Sequence, residues 1–266
     1  MTAYETFRAL HHGERPLLLP NAWDHASAAA LHRRGFGAIG TTSLGVAAAA
    51  GLPDGTGAAR AETLALGRGL ARLPVPVSVD IEGGFSDDPS EVASLAGELA
   101  QAGVAGINIE DGRPDGTLAD PALQTAKITA MKETAPGLFV NARTDTHWLG
   151  TDATLTGALS RCEAYLGAGA DGVFVPGLVA LDGITELAGE LDAPLNVLYS
   201  PAAQHTYELL TEAGVRRISL GSLLFRAALQ HAVDLAWSIA EPPGDSTSPV
   251  PGYGEVQVLH EDFSRR

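Results

Sequence analysis

QAGVAGINIE (residues 101–110) decides the fold, because the chain says nearly the same thing three more times. RRGFGAIGTT (33–42), GAGADGVFVP (167–176) and EAGVRRISLG (212–221) share its order: the end of an alanine-rich helical pattern, a glycine, then an apolar strand within two or three residues. Gly35, Gly103, Gly169 and Gly214 fall where a helix ends in the left-handed conformation, which only glycine enters without strain. Short helix-to-strand loops repeated in this way predict a parallel sheet with helical crossovers.

Working outward, eight strands are predicted, at Leu17–Asn21, Ala38–Thr42, Val77–Ile81, Gly106–Glu110, Phe139–Arg143, Gly172–Pro176, Leu195–Leu198 and Arg217–Leu220. Helical patterns fill the gaps: Asp24–Arg34, Ala61–Arg72, Ser90–Ala102, Pro121–Thr134, Ala153–Gly167, Leu181–Leu191, Ala203–Ala213 and Ser222–Ile239. Asp24, Asp120 and Asp152 suit N-cap positions. Eight strand–helix units match an α/β single-domain (β/α)₈ TIM barrel over 1–240, followed by an extended C-terminal arm over 241–266 rich in Pro, Gly and Ser. A doubly wound dinucleotide fold is disfavoured, since the first turn, NAWDHAS, has no glycine to approach a phosphate.

The formal net charge of −15 and the lack of a Lys/Arg cluster argue against nucleic acid as a partner. The N-terminal MTAYETFRALHHGE lacks the apolar core of a signal peptide, and no apolar run nears the length of a membrane span, so a soluble cytoplasmic protein is expected. The single cysteine, Cys162, excludes an internal disulfide and sits mid-helix as a packing residue. No HExxH or comparable spacing suggests zinc.

In a barrel, chemistry collects at the C-terminal ends of the strands. Those ends carry Asp80 and Glu82, then Glu110 and Asp111, then Arg143 and Asp145, with Asn196 and Ser200 further on. Strand alternation predicts that Asp80 and Glu82 point the same way. Two such acids beside Glu110 are costly without a compensating charge. A hard divalent cation supplies it, and Mg²⁺ or Mn²⁺ held by Asp80, Glu82 and Glu110 is the expectation. Arg143, on the next strand, offers a planar fork that matches a carboxylate. The structural alternative is that Arg143 pairs with Asp145 or Glu110. A cation and a guanidinium over one mouth describe a site for a small, anionic, oxygen-rich ligand.

Together, LPNAWDHASA (19–28), GTTSLGVAAAAGLPDG (40–55), VDIEGGFSD (79–87), GINIEDG (106–112), VNARTDTHWLG (140–150), AGADGVFVPG (168–177), PLNVL (194–198) and GVRRISLGSLLFRAA (214–228) resemble the isocitrate lyase/phosphoenolpyruvate mutase superfamily. The resemblance implies a Mg²⁺-dependent barrel that stabilises the enolate of a 2-oxo acid. It implies that Thr42, Ser43 and Leu44 bind a substrate carboxylate with Arg143, that Asp80 and Asn196 border the substrate, and that Asp54, Glu110 and Arg143 serve catalysis. It also implies a homodimer or homotetramer in which the last helix is exchanged between subunits. The superfamily's DxD reads Asp80-x-Glu82 here. The loop EDGRPDGTLADP (110–121) lacks the Cys of the K-[KR]-C-G-H lyase segment and the longer phosphonate gating loop. The expected activity is therefore a carbon–carbon lyase, of decarboxylase or retro-aldol type, on a small 2-oxo or 2-hydroxy dicarboxylate. A C–P bond mutase or hydrolase of phosphonopyruvate type, and a 2-oxo-acid-binding barrel with little turnover, are the alternatives.

Overall fold

The computed structural model describes residues 1–240 and 258–263. Helix α1 (Ala3–His11) precedes the sheet strands β1 (Leu17–Leu19), β2 (Asn21–Ala22), β3 (Ile39–Thr41), β4 (Val77–Asp80), β5 (Gly106–Glu110), β6 (Phe139–Arg143), β7 (Gly172–Phe174), β8 (Leu195–Leu198) and β9 (Arg217–Ser219). Between and after them run α2 (His25–Arg34), α3 (Ser43–Ala49), α4 (Arg60–Leu70), α5 (Pro89–Ala102) and α6 (Pro121–Thr134). The second half adds α7 (Thr146–Leu149), α8 (Leu155–Gly167), α9 (Leu181–Glu190), α10 (Tyr207–Glu212) and α11 (Leu223–Ala240).

All neighbouring strands are parallel, in the order β1-β9-β8-β7-β6-β5-β4-β3-β2. The two ends of that order, β1 and β2, are halves of one stave separated by Pro20, which has no N–H to give a ladder. β1 pairs with β9 and β2 with β3, so the broken stave closes an eight-stave barrel. Asn21 secures the seam: its Nδ2 donates to the Thr41 carbonyl, and its Oδ1 accepts from the amides of Leu220 and Gly221.

The four repeated glycines all have positive φ, between 83° and 105°. Asp24 and Asp120 cap their helices by accepting from the Ser27 and Ala122 amides. Asp152 does not cap: α8 starts later, at Leu155, and Thr154 takes the Gly157 amide instead. The stretch predicted as one helix over 203–213 is a 3₁₀ turn, Pro201–Ala203, followed by the shorter α10.

Helix α1 was not expected from the sequence. It is held at its start by a reciprocal pair, Thr2 accepting from the Glu5 amide and Glu5 from the Thr2 amide. It plugs the N-terminal end of the barrel. Phe7 is fully buried, and His11 stacks on Phe139 with ring centroids 4.3 Å apart. Gly106 makes room for this plug, since a Cβ there would lie 2.8 Å from the Phe7 ring.

Helix α11 has no buried residue and leaves Leu229, Val233 and Trp237 more than half exposed at four-residue spacing. Of the arm expected over 241–266, residues 258–263 form a 3₁₀ turn, with Phe263 buried against His25 and Asp262 paired with Arg33. The remainder of that arm lies outside the described residues.

Candidate active site

The C-terminal ends of the strands surround a cavity of about 290 Å³. β3 and the start of α3 bring Thr42, Ser43 and Leu44 to one wall, and the loop after α3 brings Asp54. Asp80 comes from β4, Asn108 and Glu110 from β5, Arg143 and Asp145 from β6 and its exit, and Ser219 from β9. Asp54, Asp80, Glu110, Arg143 and the Thr42-Ser43-Leu44 segment, all expected at one site, share this cavity.

Arg143 is the centre of its charge. Nε and Nη2 donate to the two oxygens of Asp145 at 2.6 and 3.1 Å, and Nη1 meets Glu110 at 2.7 Å. The guanidinium thus makes both pairings anticipated as the structural alternative. It has five N–H donors, so one on each terminal nitrogen is left for a ligand.

Arg143 does not balance these acids alone, and Arg113, the other arginine of the lining, is paired with Asp87. Burial pushes Glu110 up, against the attraction of Arg143, because that cation is shared with Asp145 and Asp80. Burial also raises Asp145, again against Arg143, and raises Asp54, opposed by a hydrogen bond from Ser43. The Asp80 carboxylate has only long contacts, at 3.4 Å, from the amides of Ser43 and Glu82. It faces the cavity with most of its acceptor capacity unused.

Glu82 departs from expectation. β4 ends at Asp80, and Glu82 lies beyond it in a turn with a φ of 49°, so strand alternation no longer governs where it points. Its Oε2 accepts from the Gly57 amide at 2.8 Å, and its Oε1 is buried without a hydrogen-bond partner. Glu82 lines a neighbouring hollow of about 220 Å³ with Asp87, Arg113 and Lys127 rather than the main cavity. Asn196 also differs: it is fully buried beneath the floor and reaches the cavity only through Ser219, to which its Nδ2 donates at 3.0 Å.

The donor set fits a hard divalent cation, with one restriction. Carboxylates outnumber cations in the cavity lining, three of them are held above their ordinary range, and Asp80 has only long contacts from backbone amides. Among the described residues, however, no three His, Cys, Asp or Glu side chains cluster closely enough to ligate a metal together. The fit is therefore to Mg²⁺, which keeps several waters and takes only one or two carboxylates. Asp80 is the freest of them.

Asp111 is not part of this chemistry. It is fully buried and accepts from Tyr165 at 2.6 Å, Arg161 at 3.0 Å and the Asp145 amide at 2.8 Å, which fixes the loop carrying Asp145. The 110–121 loop is a tight hairpin, closed by a Gly112–Leu118 bridge and an Arg113 amide to Thr117 carbonyl bond.

Sequence reasoning passed over the cavity floor, where Asn108 and Ser219 sit above a fully buried Arg217. Burial pushes the Arg217 guanidinium down to about 9, with Asp80 pulling the other way, so it remains charged at neutral pH. The signal was available: alternation places Asn108 on the face of Glu110, and Arg217 on the face of Ser219.

The sequence profile described as phosphoenolpyruvate phosphomutase matches residues 7–240. The chain belongs to this family, within the isocitrate lyase/phosphoenolpyruvate mutase superfamily. Among the family's proteins, Rv1998c of Mycobacterium tuberculosis H37Rv is 44% identical over 98% of both chains. The 2-methylisocitrate lyase of Bacillus subtilis 168 is 34% identical over 71% of this chain and 64% of its own. A phosphonopyruvate hydrolase, crystallised with oxalate and Mg²⁺, superposes with a TM-score of 0.85 over 99% of this chain and 96% of that one. At 22% identity, that last likeness speaks for the fold alone. The family is enzymatic and includes lyases and mutases. No helix among the described residues is long and apolar enough to cross a membrane.

Proposed function

We propose that the protein is a Mg²⁺-dependent carbon–carbon lyase, of decarboxylase or retro-aldol type, acting on a small 2-oxo or 2-hydroxy dicarboxylate. The observation that carries this reading is Arg143, pinned between Glu110 and Asp145 with two N–H groups left over, beside an Asp80 carboxylate that has almost no protein partner. Relatedness to 2-methylisocitrate lyases over most of the barrel supports the bond type.

Asp80, with Asp54 and Glu110 nearby, would hold the cation and its waters. When bound, Mg²⁺ supplies the Lewis-acid charge that steadies negative charge developing on the 2-oxo oxygen. Arg143 presents its two free N–H groups to a substrate carboxylate, and its orientation is locked before the ligand arrives. Ser43 and Leu44 wall the same end. As the bond at C3 breaks, its electron pair moves towards the 2-oxo oxygen. The short hairpin at 110–121 brings no Cys, Lys or His to the cavity. This suits loss of CO₂, which leaves without a proton donor, better than departure of an alcohol or carbanion that needs one.

We propose further that the exposed apolar face of α11 packs on a second copy of the chain, in keeping with the dimer or tetramer implied by the resemblance. The arrangement within one chain leaves Leu229, Val233 and Trp237 without cover.

The test is a substrate panel with Mg²⁺ and with Mn²⁺: oxaloacetate, other 2-oxo acids, 2-hydroxy dicarboxylates and phosphonopyruvate, with products followed by carbon and phosphorus NMR. Cleavage of a C–C bond in an oxo or hydroxy dicarboxylate is expected. Turnover of phosphonopyruvate alone would overturn the reading in favour of C–P chemistry.

A further inference from the structure

Arg217 lies inside the barrel, below the cavity, with no exposed surface. Among the described residues it forms no ion pair, and its direct hydrogen-bond partners are neutral groups. Nε donates to Ser219 Oγ at 3.0 Å and Nη2 to Asn108 Oδ1 at 3.1 Å, while Nη1 has no partner. A buried cation in this setting is expensive. It packs over the Phe7 ring, 6.0 Å from its centroid, but an apolar side chain could fill that space without the charge. What it does is settle which way two cavity-lining groups face.

An arginine only donates. The Asn108 atom that meets it must therefore be the carbonyl oxygen, and Asn141 Nδ2 donates to that same oxygen at 2.9 Å. With Oδ1 engaged twice, by Arg217 beneath it and by its register partner Asn141 on the next strand, the Asn108 NH₂ is left for the cavity that Asn108 lines. Ser219 is treated alike. Its Oγ accepts from Arg217 and, at 3.0 Å, from Asn196 Nδ2, which fills both acceptor positions and leaves its proton for the cavity. The walls of this cavity carry Asp54, Asp80, Glu110 and Asp145, all acceptors when ionised. Its floor offers only donors.

We infer that Arg217 is a positioning residue, which makes Asn108 and Ser219 a donor-only floor that receives a carboxylate or enolate oxygen of the ligand. Arg217 itself does not touch the ligand. Its charge polarises both donors through the bonds it makes to them, which strengthens their grip on an anionic oxygen. This deepens the oxo-acid reading of the cavity and rests on it.

The experiment uses oxalate as the probe, titrated by calorimetry into the full chain in saturating Mg²⁺. The proteins are wild type, N108A, R217K and the N108A/R217K double variant, with melting temperatures recorded without ligand. Wild type is expected to bind. N108A and R217K are each expected to weaken binding at least tenfold. The double variant is expected to lose clearly less than the product of the two single losses, because the part of Arg217's effect that passes through Asn108 is already gone in N108A and only the part through Ser219 remains. A purely structural role would instead give losses that multiply, and that result overturns the inference. Binding within twofold of wild type in both single variants overturns it too, while leaving the oxo-acid reading intact. Absence of oxalate binding in wild type overturns that reading and this inference with it. If R217K does not fold, N108A and S219A, which each remove one floor donor and leave the arginine in place, decide the matter by the same tenfold and twofold limits.

Discussion

Glu110 and Arg143 stand opposite each other as register partners on adjacent parallel strands, and the Arg143 guanidinium meets the Glu110 carboxylate at 2.7 Å while its other edge grips Asp145. The same cation serves two buried acids and faces a third, Asp80. Removing it leaves buried carboxylates unpaired. R143A is expected to lower the unfolding free energy by about 3–5 kcal/mol, the range for breaking a buried pair from one side. R143K, which keeps the charge but not the planar fork, is expected to recover part of that stability and little of the ligand affinity. Urea unfolding together with oxalate titration checks both, and an R143A variant as stable as wild type would refute the shared-cation arrangement.

His11 gives a pH dependence of definite sign. Burial, with Arg217 adding to it, lowers its pKa from 6.5 to about 3. The folded protein holds it neutral, whereas the unfolded chain takes up a proton below about pH 6.5. Its contribution is therefore complete above the unfolded value and is lost as the pH falls towards the folded one, by up to about 1.4 kcal/mol per pH unit. The buried acids with raised pKa values act in the opposite direction, so the measurement is a difference. Urea unfolding at pH 7 and pH 5 should show a steeper acid loss for wild type than for H11Q. Equal slopes would mean that α1 does not bury His11 against Phe139.

Cys162 is fully buried and its thiol is pushed up to about 12, chiefly by burial. It therefore supplies neither nucleophile nor acid. C162A is expected to keep kcat within about twofold and to lose a modest amount of stability, on the order of 1 kcal/mol. A drop of a hundredfold in kcat would show that the chemistry lies elsewhere than the cavity at the strand ends.

Much of this was legible in the sequence, for identifiable reasons. The four helix–glycine–strand phrases predicted the parallel barrel because a left-handed helix end is a local requirement that only glycine meets cheaply. Asp80, Glu110 and Arg143 could be placed at one mouth because strand ends in a barrel converge. Glu82 could not, because its direction is set by a turn that begins after Asp80, where strand parity no longer applies. Asn196 was misjudged for the reverse reason: its position near a strand end gave no depth, and it lies one layer below the cavity. Pro20 hid the split of the first stave, and α1 was passed over although Thr2-x-x-Glu5 forms a capping box and Tyr4, Phe7 and Leu10 recur at helical spacing. Arg217 was visible but unread: strand parity puts it on the face of Ser219, but parity alone does not say which face of VRRISLG points into the barrel.

The exposed stripe on α11 predicts an assembly. Size-exclusion chromatography with light scattering should give a dimer or larger for wild type. V233D, which places a charge in the middle of the stripe, should shift it towards monomer without lowering the helix content measured by circular dichroism. A monomeric wild type would contradict the proposed packing of that face on a second copy.

The most direct test of the central claim, that Asp80 and its neighbours hold a Mg²⁺ ion which activates an oxo acid, is CO₂ release from oxaloacetate as Mg²⁺ is titrated back into chelator-treated protein. Wild type should be inactive without the metal and recover along a saturable curve, while D80A should stay at least about a hundredfold slower at every Mg²⁺ concentration. Turnover that survives the chelator, or a D80A variant that matches wild type, would contradict the account.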